Sequence, residues 1–339
     1  MRAATIHGPG DIRFEEVPDP EIKAPTDAIV EVVRGCICGS DLWPYRGIDK
    51  PNRGSTIGHE CIGVVAEVGL DVREFRPGDF VIVPFDHCDN TCAHCQYGMQ
   101  SACVNLGFTV SGQGEYARVN HADGSLVGTG GVPDDSMLPA LLTLADVMAT
   151  GWHAAVSAGV GQGSTAVVVG DGAVGLCGIL AAQQQGAERI IAMSRHETRS
   201  AVARQFGATD IVEERGRKGI ERIVEMTKGV GADAVLECVG TSDSLQTAIR
   251  IARPGASVGF VGVPHDAQPP VNVMFSRNVA LAGGMAPTRK YLPELVDLVT
   301  SGVIDPSPVF DLSLPMAEVA EGYRAMDERR AIKAILSPN

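Results

Sequence analysis

Thr165-Ala-Val-Val-Val-Gly-Asp-Gly-Ala-Val-Gly175 is the stretch on which the fold turns. Its first five residues carry no charge and are nearly all apolar, as in a strand covered on both faces of a sheet. They run straight into Gly170, Gly172 and Gly175, spaced G-x-G-x-x-G, and a helical stretch follows over 174–185. In a chain with 40 glycines the triad alone says little. The strand before it and the helix after it give it meaning. Gly170 permits the tight turn, Gly172 lets a pyrophosphate approach the backbone, and Gly175 allows the helix to pack closely on the strand. Ala173 and Val174 open that helix, whose free N–H groups and dipole favour anions. The plain alternative is an ordinary strand-to-helix turn; the flanking pattern puts dinucleotide binding ahead of it.

Outward from this point the rhythm is regular. Apolar runs at 189–193, 232–237, 256–261 and 279–282 alternate with helical stretches at 198–206 and 219–227. Alternation of this kind from about residue 144 onward is the pattern of a doubly wound parallel sheet in an α/β domain. Before it, short β-branched segments at 1–7, 12–17, 28–34, 61–68 and 79–84 are separated by turns such as Arg76-Pro77-Gly78-Asp79. These predict a compact β-rich domain. The tail from Thr288 reads as helical again and closes on the apolar segment 331–336.

Composition agrees. A chain of 339 residues, 45% hydrophobic and 20% charged, is sized for two globular domains with ample core. The formal net charge of -13 disfavours nucleic acid and anionic membranes as partners. The apolar stretch 166–182 is broken by Asp171 and glycines, so it does not read as a membrane span, and residues 1–10 do not read as a secretory signal. Nine cysteines, four of them within sixteen residues, fit metal thiolates in a reducing cytoplasm better than disulfides.

The end of the second strand selects the dinucleotide. An acidic residue about 20 positions after the fingerprint binds the ribose 2′-OH of NAD. Here Met193-Ser194-Arg195-His196 puts Ser194 in that slot with Arg195 beside it. A hydroxyl and a guanidinium suit a 2′-phosphate, and Arg199 adds a second charge. NADP(H) is therefore the expected cofactor. The bland alternative leaves Arg195 and Arg199 as solvated charges four apart on a helix.

Two further motifs carry metal-binding residue types. Cys38-Gly39-Ser40-Asp41 and Gly58-His59-Glu60 each set a soft or borderline ligand in a glycine-punctuated turn, a pairing that suits zinc. A third protein ligand has to come from elsewhere. With only three, the fourth position stays open to water or substrate, the mark of a catalytic zinc. A lone Cys and His are more often core residues, and it is the second cluster that shifts the balance. Cys92-x-x-Cys95 followed by Cys103 points to a closed structural zinc, which would supply the folding energy of a lobe with little core. Its fourth ligand is open between Cys88, favoured by softness, and Asp89, favoured by even spacing. His87 and His94 lie near as well.

In these motifs, and in Asp146 with Thr150-Gly151, the chain resembles the zinc-dependent alcohol dehydrogenases of the medium-chain dehydrogenase/reductase family along essentially its whole length. The resemblance implies a GroES-like catalytic domain over 1–145 and 286–339, interrupted by a Rossmann domain over 146–285. It implies Cys38, His59 and Asp146 as ligands of the catalytic zinc, with Glu60 close to the metal. Read without it, Asp146 is a helix N-cap and Glu60 a buried partner for an arginine. It further implies that Ser40 bonds the alcohol oxygen and that Thr150 packs against the nicotinamide. Asp89 becomes the first structural ligand, with Cys88 second choice. One departure stands out: Trp43 occupies a position that often carries a proton-relaying His.

The activity so implied is interconversion of a small alcohol with its aldehyde or ketone by hydride transfer, in a cytoplasmic homodimer or homotetramer. The rivals are a zinc-free ene or quinone reductase on the same fold and a non-catalytic NADPH-binding protein. Zinc-free relatives lack the Cys38, His59, Asp146 set, and two zinc ions per subunit would separate all three. The particular alcohol and the physiological direction lie beyond the sequence.

Overall fold

The computed structural model describes residues 1–338. The chain divides into two compact units, Met1–Ala149 with Pro287–Asn339, and Thr150–Ala286. The division falls after Ala149 and after Ala286, so Asp146 lies with the first unit and Thr150 with the second. The N–H of Phe85 on the carbonyl of Ala145 ties the segment before Asp146 to the first unit's sheet region.

The first unit is built on a seven-stranded sheet. Its order is Val127–Gly128, Phe80–Val83, Glu60–Val68, Ala28–Cys36, Ala334–Ser337, Leu312–Pro315, with Tyr116–Val119 also on Ala28–Cys36. Ala28–Cys36 and Glu60–Val68 run antiparallel, with Cys36 opposite Glu60. That register decides the site. The turn after Cys36 carries Cys38 and the turn before Glu60 carries His59, so both emerge at one end of the sheet. The tail closes the sheet, with Ile335 opposite Cys36 and Leu336 opposite Gly35. Ala4, Val30, Val32, Val81, Leu126 and Tyr323 fill its core. Beside it, Arg2–Gly8 pairs with Asp11–Glu16 and Ser55–Thr56.

The second unit is a six-stranded, all-parallel sheet in the order Asp210–Val212, Arg189–Met193, Thr165–Val169, Ala232–Glu237, Ala252–Phe260, Ala280–Gly283. Numbered within the unit this is 3-2-1-4-5-6, the doubly wound order whose switch point lies beside the first strand. Val167, Ile191, Val235 and Val258 are fully buried or nearly so along its centre. The expected strand at 256–261 begins earlier, at Ala252, and the short strand Asp210–Val212 and the helix Ser242–Ile251 were not expected. Among the described residues no helix is long and apolar enough to cross a membrane, and all nine cysteines are free.

Candidate active site

One ligand atom from each of Cys38, His59, Glu60 and Asp146 lies within 4.8 Å of the others. Cys38 Sγ is 3.4 Å and His59 Nε2 3.5 Å from Asp146 Oδ2. Asp146 immediately precedes the helix Val147–Ala158. Gly58 places His59: its φ is +93°, and a Cβ there would collide with the Gln113 side chain. His59 Nδ1 sits 3.2 Å from Asp41 Oδ1, which orients the ring with Nε2 toward the group. Asp41 is itself held, its Oδ2 accepting from the Cys38 N–H at 3.0 Å and from Gln113 Nε2 at 3.1 Å. The Tyr323 hydroxyl donates to Gln113 Oε1 at 3.0 Å, and the Phe85 ring meets His59 edge-on.

Glu60 is fully buried, and its partner is a lysine, not the arginine the sequence suggested. Lys333 Nζ donates to Glu60 Oε1 at 2.6 Å and to the Ile37 carbonyl at 3.0 Å. Cys36 Sγ donates to Glu60 Oε2 at 3.3 Å. Three acids and one imidazole share this space, and their proton affinities show it. Burial pushes the Cys38 thiol up to about 11, with Asp146 and Glu60 adding to it. Burial draws His59 down, but Asp41 and Cys38 outweigh it and hold the imidazole well above its ordinary value. Burial raises Glu60, and Lys333 offsets part of that. Such a set keeps protons because its negative charges face one another; a divalent cation meets the same need by releasing them. One thiolate, one imidazole and carboxylate oxygens are the donor types zinc takes.

Ser40 is half-buried in the turn between Cys38 and Asp41, and its hydroxyl makes no hydrogen bond among the described residues. Trp43 lies in the short helix Leu42–Tyr45 that follows.

The cysteine lobe forms a second group: Asp89, Cys92, Cys95 and Cys103 lie within 4.8 Å of one another by their ligand atoms. Cys92 Sγ is 3.5 Å from Cys95 Sγ and 3.9 Å from Cys103 Sγ, and Asp89 Oδ1 is 3.6 Å from Cys95 Sγ. Cys88 is outside the group. Its thiol turns to the Gly124 carbonyl at 3.3 Å, and burial pushes it up to about 12. Burial works against ionisation of Asp89, but the N–H groups of Thr91 and Cys92 and the Asn105 amide hold its carboxyl well below the usual range. Backbone N–H groups of Val104 and Cys95 bring Cys92 down to about 7. His87 takes no part: its Nε2 pairs with the Thr109 hydroxyl at 2.9 Å, and burial presses its pKa to about 3. His94 Nδ1 faces the Ala102 carbonyl.

In the second unit the fingerprint glycines have separate reasons. Gly170 has φ +115°, and a Cβ on Gly175 would collide with the Gly170 carbonyl oxygen, so the helix could not sit so close to the strand. A Cβ on Gly172 meets no atom within 4 Å, which leaves open space over the backbone where a pyrophosphate would lie. The helix Ala173–Gln184 starts there, with Gly172 as N-cap. Thr150 is buried in the helix Val147–Ala158.

Ser194 is fully buried at the end of Arg189–Met193, and its hydroxyl donates to Asp171 Oδ2 at 2.9 Å. Arg199 Nη1 lies 3.4 Å from Asp171 Oδ1, and Arg215 Nη2 lies 4.0 Å from Asp171 Oδ2. Arg195 is exposed and precedes the helix Glu197–Gln205 that carries Arg199, so the two are not neighbours on one helix face. Sequence reasoning missed Asp171 and Arg215. A charged residue inside a glycine fingerprint was the available signal for Asp171; nothing marked Arg215.

Residues 24–128 match the alcohol dehydrogenase GroES-like domain, and residues 173–301 match the zinc-binding dehydrogenase domain. The chain is 35% identical to a probable zinc-binding alcohol dehydrogenase of Mycobacterium tuberculosis, over 95% of this chain and 84% of that protein. It is 33% identical to an NADP-dependent isopropanol dehydrogenase of Thermoanaerobacter brockii, over 86% of each. Among solved structures, alcohol dehydrogenase TADH from Thermus sp. ATN1 superposes with a TM-score of 0.91 at 30% identity, covering 100% of both chains.

Proposed function

The chain belongs to the zinc-binding alcohol dehydrogenases of the medium-chain dehydrogenase/reductase family, and from that premise we propose a zinc-dependent enzyme that interconverts a small alcohol and its aldehyde or ketone with NADP(H). The observation that carries the reading is the group of Cys38, His59, Glu60 and Asp146 at the joined ends of two paired strands. Cys38, His59 and Asp146 are assigned as zinc ligands and Glu60 as the carboxylate beside them. Asp89, Cys92, Cys95 and Cys103 are assigned to a structural zinc. A zinc ion so held supplies Lewis acidity toward the substrate oxygen, and NADP(H) supplies or takes the hydride.

The protein's own residues do the rest. Asp41 fixes the imidazole of His59, and Lys333 balances the buried charge of Glu60. Ser40, in the turn that carries Cys38, takes the proton of the substrate hydroxyl. Trp43 cannot titrate, so as Ser40 accepts that proton its own hydroxyl proton leaves to water. Gly170, Gly172 and Gly175, with Ala173 and Val174 in the first turn of the helix, hold the pyrophosphate, and Thr150 packs against the nicotinamide.

Ser194, Arg199 and Arg195 favour the 2′-phosphate, and the printed name of the Thermoanaerobacter relative is in keeping with that. A charge-assisted hydrogen bond of roughly 1.5–3 kcal/mol gives about a ten- to hundredfold preference for NADP. Two zinc ions per subunit, together with a kcat/KM ratio favouring NADP over NAD, are expected; fewer than two zinc ions or a preference for NAD would refute the corresponding part. Assembly as a homodimer or homotetramer fits the half-exposed edge strand Ala280–Gly283 and the nearby Phe275, 86% exposed. Sedimentation gives the size directly, and a monomer would end that proposal.

A further inference from the structure

The carboxylate of Asp171 occupies the position of an anion among the groups assigned to the 2′-phosphate. Its Oδ2 accepts from the buried Ser194 hydroxyl at 2.9 Å, its Oδ1 faces Arg199 Nη1 at 3.4 Å, and Arg215 Nη2 stands 4.0 Å away. Ser194 and Arg199 are two of the groups assigned above to the 2′-phosphate, and Arg215 stands beside them. Its centre is sheltered: the side chains of Asp171 and Arg199 are only 15% and 14% exposed, while Arg215, at 40%, closes it toward solvent. Ser194 is tied further by the Ser200 hydroxyl at 3.1 Å, and Arg215 by the Met193 carbonyl at 3.0 Å. Asp171 lies next to Gly172, on the chain segment assigned above to the pyrophosphate.

We propose that Asp171 is an internal stand-in for the 2′-phosphate and sets the discrimination between NADP and NAD. The inference rests on the NADP(H) reading above. With Asp171 in place, the sheltered Arg199 is paired whether or not a phosphate is bound, so a cofactor lacking the phosphate leaves no unpaired charge behind. A cofactor bearing it must compete with Asp171 for the same donors. Selectivity is a difference of two affinities, and Asp171 narrows it from both ends. The residue therefore holds the preference for NADP at the low end of the range and makes NAD a workable second cofactor.

The test uses cofactor fragments, so it does not depend on turnover. Adenosine 2′,5′-bisphosphate and adenosine 5′-monophosphate are titrated calorimetrically into the wild type and into Asp171→Asn, which keeps an acceptor for Ser194 and removes the charge. The expected result is that the bisphosphate binds about tenfold more tightly to the variant while the monophosphate is unchanged. The gain should shrink at high salt. Equal tightening of both fragments would mean a general charge effect at the pyrophosphate, and would overturn the proposal. So would weaker binding of the monophosphate alone, which would make Asp171 an acceptor for the 2′-OH. If the wild type prefers the bisphosphate and the variant binds it no better, this inference falls and the NADP(H) reading stands. If neither protein distinguishes the fragments, both fall.

Discussion

Replacing Lys333 by methionine removes one half of an ion pair that has no access to water. The two side chains are 1% and 0% exposed, with Nζ 2.6 Å from Oε1. Exposed pairs are worth about 0–1 kcal/mol because water screens them; here there is no screening to discount. Truncating one partner of a buried pair costs about 3–5 kcal/mol, chiefly from the charge left behind. In a unit of roughly 150–250 residues that is a fall in Tm of about 6–20 °C. Both residues belong to the first unit, and so does Trp43, whereas Trp152, the only other tryptophan, belongs to the second. In a Trp152→Phe background, fluorescence therefore reports the unit that should be affected.

The loss should also depend on pH. Burial already raises Glu60 above 4.5, and Lys333 restrains that rise. Without Lys333 the rise grows. A carboxyl raised on folding leaves stability intact below its unfolded value and takes it away as pH climbs through the folded one, so the deficit should be smallest near pH 4 and widen upward. Adding Glu60→Gln should recover most of the loss, since no orphan charge then remains. A single variant costing under 1 kcal/mol at equal zinc content, or a double variant no better than the single, would refute the argument.

Asp89→Ala should lose one zinc per subunit by elemental analysis, while Cys88→Ala should keep both, because the Cys88 thiol faces the Gly124 carbonyl. Cys38→Ser or Asp146→Ala should abolish turnover and release the other zinc, yet leave fragment binding by the second unit intact. Asp86 is buried, and burial pushes its carboxyl from 3.8 up to about 7, with the Thr288 hydroxyl opposing. Stability from that acid is complete below pH 4 and lost as pH rises through about 7, on the order of 4 kcal/mol in all. Asp86→Asn should thus stabilise the first unit at pH 8 and change little at pH 4, as measured by denaturant titration.

The sequence was most legible where one local signal sufficed. Thr165–Val169, Arg189–Met193 and Ala232–Glu237 are unbroken apolar runs between turn residues, and their ends fall at the residues expected. Ala252–Phe260 starts in Ala-Arg-Pro-Gly, whose turn residues hide the beginning of the strand. Asp210–Val212 is too short for any period to register. Ser242–Ile251 could have been found, since Thr241 and Ser244 form a capping box before an amphipathic run. At the site, Cys38 and His59 stand out because both lie in glycine turns. Lys333 does not, because a lone lysine in the apolar segment 331–336 gives no hint of a partner 273 residues away. The contacts of Asp171 are equally hidden, as they depend on a strand end and two later elements meeting it.

The pairing of Ile335 with Cys36 bears on the order of events during synthesis. The second unit is contiguous, Thr150–Ala286, and all of it is translated before the returning segment from Pro287 that the first unit needs. It can fold on the nascent chain, domain by domain. The first unit cannot finish: its strand Ala28–Cys36 waits for Ala334–Ser337, which lies between it and Leu312–Pro315 and is made only after the whole second unit, across a very long loop. Glu60 waits with it for Lys333. Until Lys333 is made, that carboxylate lacks its ion-pair partner and the end of Ala28–Cys36 lacks its neighbour. The second unit can thus reach its folded form early, while the ion-pair partner of Glu60 and the sheet neighbour of Cys36 come only with the segment that returns to the first unit.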